Sequence, residues 1–238
     1  MKGKVSKNKF LKVVLPALLV VAIICQAVGF QAVLAKGNVA TTSSDSISNL
    51  TDQQLQALTN PILQSYKADS SHKVWKMTDD SRLAVLANQT NIENARLQEV
   101  VKLVNSEFVE KEIISSPLAM VYAQEKDVSY GDILIDIDQT SSITSSSNSK
   151  EAYKITIGET GVRFTGASEN AIMHGLRTIQ NLIITNDGLV YGEIVDYPNV
   201  AERRVHVDCA RKYISKDWFI RQIREMSYMK MNALQIHF

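Results

Sequence analysis

Short segments in which apolar and polar residues alternate predict a β-sheet in the middle of the chain. The pattern is clearest at residues 132–138, where three isoleucines would share one face of a strand. Residues 153–157 and 161–165 flank Gly158-Glu159-Thr160, which predicts an antiparallel hairpin. A further strand is predicted at residues 82–86. Together these segments indicate a small sheet.

Two longer segments have the spacing of amphipathic helices, at residues 91–109 and 169–183. In the second helix an apolar stripe would pack on the sheet, and Ser168 is placed to cap its first turn. The stripe consists of Ile172, Leu176, Ile179 and Ile183. A serine-rich loop without periodicity follows the isoleucine strand at residues 139–150. Strands and helices together predict an α+β domain over residues 72–198.

The segment after Pro198 has a different order of elements. It predicts a strand at 204–209, a helix from Lys216 to about Met229 capped by Ser215, and a strand at 234–238. The predicted buried stripe of this helix is Phe219, Ile223, Met226 and Met229. Short loops between the three elements indicate a right-handed βαβ unit with parallel strands.

Polar residues near the C-terminal ends of parallel strands face the ligand side of such units. This rule selects Asp208, Arg211 and His237 as candidate binding residues. A purely structural alternative stays open, in which Asp208 and Arg211 pair with each other and His237 is a hydrogen-bonded core residue.

The N-terminus has the features of an export signal. Five lysines precede the apolar stretch at residues 13–30, and Val33-x-Ala35 is a cleavage motif. The sequence thus predicts a signal peptide at 1–35, a polar spacer at 36–71, and a secreted or cell-surface protein. The alternative is an uncleaved membrane anchor formed by residues 13–34, because that stretch is near the length that spans a bilayer.

Charge and residue usage narrow the class of function. Loss of residues 1–35 would change the formal net charge from +1 to −4, which leaves no basic footprint for nucleic acid. Only Cys209 would remain, so an intrachain disulfide is excluded.

Asp132, Asp136 and Asp138 lack the glycine-bearing loop of a calcium site and are expected to be solvated at a sheet edge. No metal or organic cofactor is expected. His174 is expected at the surface.

Three segments resemble the family-twenty glycoside hydrolases, the β-N-acetylhexosaminidases. They are the helix with Gly175-Leu176-x-Thr178-x-Gln180, the linker Asp196-Tyr197-Pro198, and residues 203–238 with the Arg203, Asp208 and Arg211 pattern. Arg204 and Lys212 depart from common family residues and suggest a subgroup. Residues 202–205 and 234–238 look most like secreted or wall-associated bacterial members.

The resemblance implies an α+β N-terminal domain followed by the first β/α unit of a truncated (β/α)8 barrel at residues 199–238. It implies that Arg211 binds hydroxyls of a terminal N-acetylhexosamine, with Asp208 and His237 in support. It also implies a substrate-assisted retaining reaction whose Asp-Glu pair belongs to a later strand, so no catalytic residue lies in this chain. The partner would be a glycan, and membrane contact would come only through the signal segment.

Three alternatives remain open. A lacto-N-biosidase would remove a disaccharide by the same mechanism. A non-catalytic surface module for glycan binding or spacing could be built on the α+β domain, or a surface protein could be held by its N-terminal anchor and act by interaction alone.

Overall fold

A computed structural model describes residues 47–138 and 149–238. The predicted signal peptide, residues 36–46 of the predicted spacer and most of the serine-rich loop lie outside these residues. Within the two described ranges, no helix combines the length and apolar character needed to span a membrane.

The described residues form five α-helices, two short 3-10 helices at Ile47–Asn49 and Glu125–Asp127, and eleven strands. The α-helices are α1 (Asp52–Gln56), α2 (Gln89–Ile92), α3 (Ala95–Glu110), α4 (Glu169–Asn186) and α5 (Lys216–Tyr228). The strands are β1 (Ser65–Ala68), β2 (Val74–Trp75), β3 (Arg82–Leu86), β4 (Ala119–Ala123), β5 (Ile133–Ile137), β6 (Tyr153–Gly158), β7 (Gly161–Gly166), β8 (Leu189–Val190), β9 (Gly192–Asp196), β10 (Arg204–Asp208) and β11 (Ala233–His237).

Seven strands form one mixed sheet in the order β1-β9-β6-β7-β5-β3-β4. The pairs β1–β9, β9–β6 and β6–β7 are antiparallel, whereas the pairs β7–β5, β5–β3 and β3–β4 are parallel. The predicted hairpin is confirmed, because β6 and β7 pair from Tyr153 opposite Gly166 to Gly158 opposite Gly161. Strands β2 and β8 form a separate two-stranded ribbon.

Helices α3 and α4 pack together on one face of the sheet, where the main core lies. The core combines the predicted stripe of α4 with the inward residues of the central strands, among them Ile133, Ile135, Ile155, Phe164 and Ile194. On the opposite face the described residues form a smaller apolar cluster from Ala84, Ala123 and Leu134. One thick and one thin apolar layer are typical of an α+β domain.

The helix predicted at residues 91–109 is divided. Asn88 caps α2 by accepting a hydrogen bond from the Asn91 amide, and Asn94 caps α3 in the same way from the Leu97 amide. Asparagine side chains compete for backbone donors in this manner, so two caps in seven residues end one helix and begin another.

The predicted spacer does not extend to residue 71. Helix α1 begins with a capping box between Thr51 and Gln54 and buries Leu55, while β1 is the edge strand of the main sheet and buries Tyr66. An edge strand with one fully buried residue has a weak alternation pattern, which explains the incorrect boundary.

The expected edge position of the aspartates is also wrong. Strand β5 lies between β7 and β3, and both Asp132 and Asp136 are buried. Asp132 pairs with Arg82, whose Nε lies 2.8 Å from its Oδ1. Asp136 Oδ1 accepts hydrogen bonds from the side chains of Asn88 and Asn91, at 3.1 and 2.9 Å. Buried carboxylates are acceptable here because each has donors.

Strands β10 and β11 are parallel and are joined through α5, as the sequence predicted. Ser215 caps α5 by accepting a hydrogen bond from the Trp218 amide. The predicted buried stripe is only partly correct, since Met226 is buried but Ile223 is 53% and Met229 42% exposed. A two-stranded sheet is too narrow to cover the apolar face of a helix.

Candidate functional site

Asp208, Arg211 and His237 lie at or just beyond the C-terminal ends of β10 and β11. Asp208 and His237 are opposite each other in the parallel register, and His237 Nδ1 lies 3.3 Å from Asp208 Oδ1. All three residues are exposed. They therefore form an open polar edge at the end of the βαβ unit.

The Asp208 carboxylate does not pair with Arg211, so the structure departs from the structural alternative in which these two residues hold each other. Its Oδ1 accepts a hydrogen bond of 2.9 Å from the Ala210 amide. This bond, followed by the contact with His237, lowers the pKa of Asp208. Arg211 has no hydrogen bond or ion pair with another described residue. Its five N–H donors are thus available to a ligand.

The opposite, N-terminal ends of β10 and β11 are fixed to the α+β domain through a buried lysine. Lys230, in the turn between α5 and β11, places its Nζ 2.7 Å from Asp196 Oδ2 and 2.9 Å from the Tyr153 hydroxyl. The Tyr153 hydroxyl also donates to Asp196 Oδ2 at 2.7 Å. Burial lowers the pKa of Lys230, and the adjacent Asp196 opposes that shift.

A second buried cluster connects α5 with α3 and α4. The Arg177 guanidinium forms a bidentate ion pair with Glu107. Its Nε donates to Ser227 Oγ at 3.0 Å, and the guanidinium carbon lies 4.2 Å from the centre of the Tyr228 ring. Tyr228 in turn donates to Glu107 at 3.4 Å. Arg177 and Glu107 are both buried, so this pairing compensates two charges that water cannot reach.

A third cluster surrounds Glu151, just before β6. Its carboxylate binds the guanidinium of Arg203 and accepts a hydrogen bond of 3.1 Å from Asn232 Nδ2. His174 Nε2 lies 3.8 Å from Glu151 Oε2, beyond hydrogen-bond distance. Burial alone would raise the pKa of Glu151, but His174, Asn232 and Arg203 outweigh it and lower the pKa to about 2.

His174 is buried rather than at the surface, which corrects the sequence-based expectation. Neither of its ring nitrogens has a hydrogen-bond partner within the described part of the chain. Its side chain contributes to the wall of a cavity of about 270 Å³ between the α+β domain and the βαβ unit. The wall also includes Ile62, Glu151, Arg203 and Lys230. Since Arg203 and Lys230 each pair with a carboxylate, the cavity has no uncompensated cation.

Sequence reasoning identified the strand-end residues but missed the three buried clusters. One signal was available: Glu107 falls three residues after Val104 and seven after Val100, on the apolar side of α3. An acid in that position predicts a buried cationic partner. Lys230 gave no comparable signal, because a lysine just after the end of a helix is normally exposed to solvent.

Two family models match the chain. The model described as "Glycosyl hydrolase family 20, domain 2" matches residues 61–197, and the model described as "Glycosyl hydrolase family 20, catalytic domain" matches residues 202–238. The first covers more than half of the chain. The division between them falls in the linker that precedes β10.

Curated relatives share part of the sequence. Beta-hexosaminidase B of Pseudoalteromonas piscicida is 30% identical over 86 residues, which are 36% of this chain and 11% of the relative. A beta-hexosaminidase of Vibrio vulnificus is 26% identical over 93 residues, or 39% of this chain and 11% of the relative. The matched part of the chain thus spans about a tenth of the length of these relatives.

Solved structures share the fold. A chitobiase of Flavobacterium johnsoniae superposes with a TM-score of 0.61 at 16% identity, over 79% of this chain and 28% of that one. A Streptomyces plicatus beta-hexosaminidase in complex with the product GlcNAc gives a TM-score of 0.59 at 18% identity, over 79% and 35% of the two chains. With more than half of its length matched by one family model, the chain belongs to glycosyl hydrolase family 20.

Proposed function

We propose that the protein is a secreted or cell-surface β-N-acetylhexosaminidase that removes terminal β-linked N-acetylhexosamine from glycans by substrate-assisted retaining hydrolysis. The observation that carries this proposal is the parallel β10-α5-β11 unit, which lies in the region matched by the family's catalytic domain and presents Arg211 at its ligand side. The Streptomyces relative, which binds GlcNAc as its product, supports the class of substrate.

Arg211 suits the binding of a sugar. Its exposed guanidinium offers donors in a fixed fork, which matches two adjacent hydroxyls. Asp208 and His237 flank this position and fix the strand ends through their mutual contact. None of the three is positioned as the catalytic acid in this proposal, which assigns that role to the family's Asp-Glu pair on a later barrel strand.

The chemistry needs more of the barrel than one unit. A (β/α)8 barrel takes about 250 residues, and its active site is built from the loops after several strands. Residues 202–238 provide the first strand, helix and second strand. A polypeptide of residues 1–238 alone should therefore have no glycosidase activity. A longer polypeptide that also contains the later β/α units, called the full-length protein below, should be active.

Hydrolysis of 4-nitrophenyl N-acetyl-β-glucosaminide tests the proposal directly. Arg211→Ala would remove the hydrogen bonds from the guanidinium to the sugar hydroxyls. Because a hydrogen bond from a charged group contributes about 1.5–3 kcal/mol, we expect kcat/KM of the full-length protein to fall by about 100-fold. Lys212→Ala is the matched control, because Lys212 is an exposed cationic neighbour to which this proposal assigns no role in binding. An inactive full-length protein, or equal activity of the two variants, would reject the proposal.

Export is a separate part of the proposal. It is supported by the lysines and apolar stretch of residues 1–35. N-terminal sequencing of protein from culture medium should give Lys36 as the first residue. Recovery of the intact N-terminus in the membrane fraction would instead favour the anchor.

A further inference from the structure

The segment that carries Arg211 is attached to the α+β domain at both of its ends. On one side Arg203 precedes β10 and binds Glu151. On the other side the chain enters α5, whose C-terminal residues Ser227 and Tyr228 contact Arg177. A shift at either end would move the loop between β10 and α5, because the chain on each side of that loop is held by these contacts.

Lys230 forms a third attachment to the α+β domain. It is 7% exposed and has a left-handed backbone conformation, with φ of 53°, that turns the chain from α5 into β11. A non-glycine residue in that conformation carries strain and must be held by its surroundings. The ammonium group is held by Asp196 and Tyr153, both of which belong to the α+β domain.

Strands β10 and β11 transmit the position of this turn to the ligand side. Five residue pairs connect them in register, from Arg204 opposite Ala233 to Asp208 opposite His237. The Cys209 amide then donates to the His237 carbonyl at 2.8 Å, immediately before the loop with Arg211. The two strands and that loop thus form one hydrogen-bonded body whose base is the Lys230 turn.

We propose that Lys230, held by Asp196 and Tyr153, is a positioning residue that fixes the α5–β11 turn on the α+β domain and thereby sets the place of Arg211 and His237 for the sugar. This inference rests on the proposed function. It gives the α+β domain a part in substrate binding, although Arg211 and His237 lie outside that domain.

The test compares three variants of the full-length protein by steady-state kinetics and thermal unfolding. Lys230→Met removes the cation and leaves Asp196 buried without it. Lys230→Met/Asp196→Asn removes both charges and leaves no uncompensated charge in the junction. Lys216→Met is the control, because Lys216 is exposed at the start of α5, the helix that precedes the Lys230 turn.

Positioning and stability make different predictions for the double variant. Misplacement of about 1 Å costs up to about 100-fold in rate, so we expect KM to rise about tenfold in both Lys230 variants, with a smaller fall in kcat. Removal of the unpaired charge should restore the Tm of the double variant toward wild type without restoring KM. If Lys230→Met does not fold, the double variant alone decides whether Lys230 positions the site or only stabilises the fold.

A double variant with wild-type KM would overturn the inference, since Lys230 would then contribute to stability only. The same holds if Lys216→Met raises KM as much as the Lys230 variants do. An inactive wild-type protein is a different failure, because it rejects the proposed function itself. Activity of the wild type with normal KM in the double variant rejects positioning alone.

Discussion

At the scale of single residues, Glu151 is the clearest case of a side chain whose ionisation depends on the fold. It joins the α+β domain to Arg203 and Asn232 of the βαβ unit, and its side chain is only 14% exposed. The pKa of about 2 lies below the ordinary value of 4.5. A carboxylate with a depressed pKa stabilises the folded protein above its unfolded pKa, and this stability is lost as pH falls toward the folded pKa.

We therefore expect the free energy of unfolding to decrease by about 3 kcal/mol between pH 5 and pH 2 through Glu151. Glu151→Gln should lose this part of the pH dependence, since the amide does not titrate. Urea unfolding across that range measures it, and Glu159→Gln is the control because Glu159 is 74% exposed. Parallel pH curves for wild type and Glu151→Gln would contradict the assignment.

Individual polar residues were the least predictable part of the sequence. His174, Arg177 and Gln180 are all buried, although the spacing of the apolar residues placed them on the polar side of α4. The periodicity of a helix identifies the apolar side that faces the core. It does not show whether another element covers the polar side, and that cover decides whether the polar residues are buried.

At the scale of elements, α4 is covered on both sides. Its apolar stripe packs on β5, β6 and β7, and its polar side contacts α5. Gly175 allows the close approach on the sheet side, since a Cβ there would lie 2.2 Å from Phe164 Cζ and 3.0 Å from Tyr153 Cδ2. Phe164 and Tyr153 are buried in edge-to-face contact, with ring centres 5.9 Å apart, and have little room to move.

This packing predicts that Gly175→Ala destabilises the protein. Alanine improves helix propensity by about 1 kcal/mol, but overpacking of a buried site costs about 1–3 kcal/mol. Because the clash involves two ring atoms of Phe164, we expect a net loss of about 1–2 kcal/mol in urea unfolding. Gly158→Ala is the matched control, as nothing lies within 4 Å of its added Cβ. Equal stability of the two variants would show that Phe164 can move aside.

Elements with a clear apolar periodicity or a clear capping residue in the sequence were predicted well, and elements without such a pattern were not. The hairpin, the α4 stripe and the Ser168 and Ser215 caps follow from local chemistry and are confirmed. Strand β1 was missed because it borders the sheet and buries only Tyr66 completely. The central position of β5 was missed because alternation identifies a strand without giving its neighbours.

At the scale of the whole molecule, the α+β domain buries its apolar side chains in a core, whereas the βαβ unit leaves many of its own exposed. The domain buries a continuous core around α3 and α4. In the βαβ unit, by contrast, several large apolar side chains are exposed: Tyr213, Ile220, Ile223 and Phe238. The sequence predicted a covered helix because its apolar spacing is that of a barrel helix, which neighbouring β/α units cover on both flanks.

This contrast predicts opposite effects of one substitution in two polypeptides. Ile223→Glu adds charge to an exposed apolar surface in residues 1–238, so it should increase the monomeric fraction in size-exclusion chromatography. In the full-length protein the same carboxylate would be buried between barrel helices, and an unpaired polar group there costs several kcal/mol. Thermal unfolding should therefore show a lower Tm. Ile184→Glu is the control, because Ile184 is 51% exposed on α4 and should respond alike in both. An unchanged Tm of the full-length protein with Ile223→Glu would show that this face of α5 stays open in the whole protein, and a barrel built around it in the family's manner would be excluded.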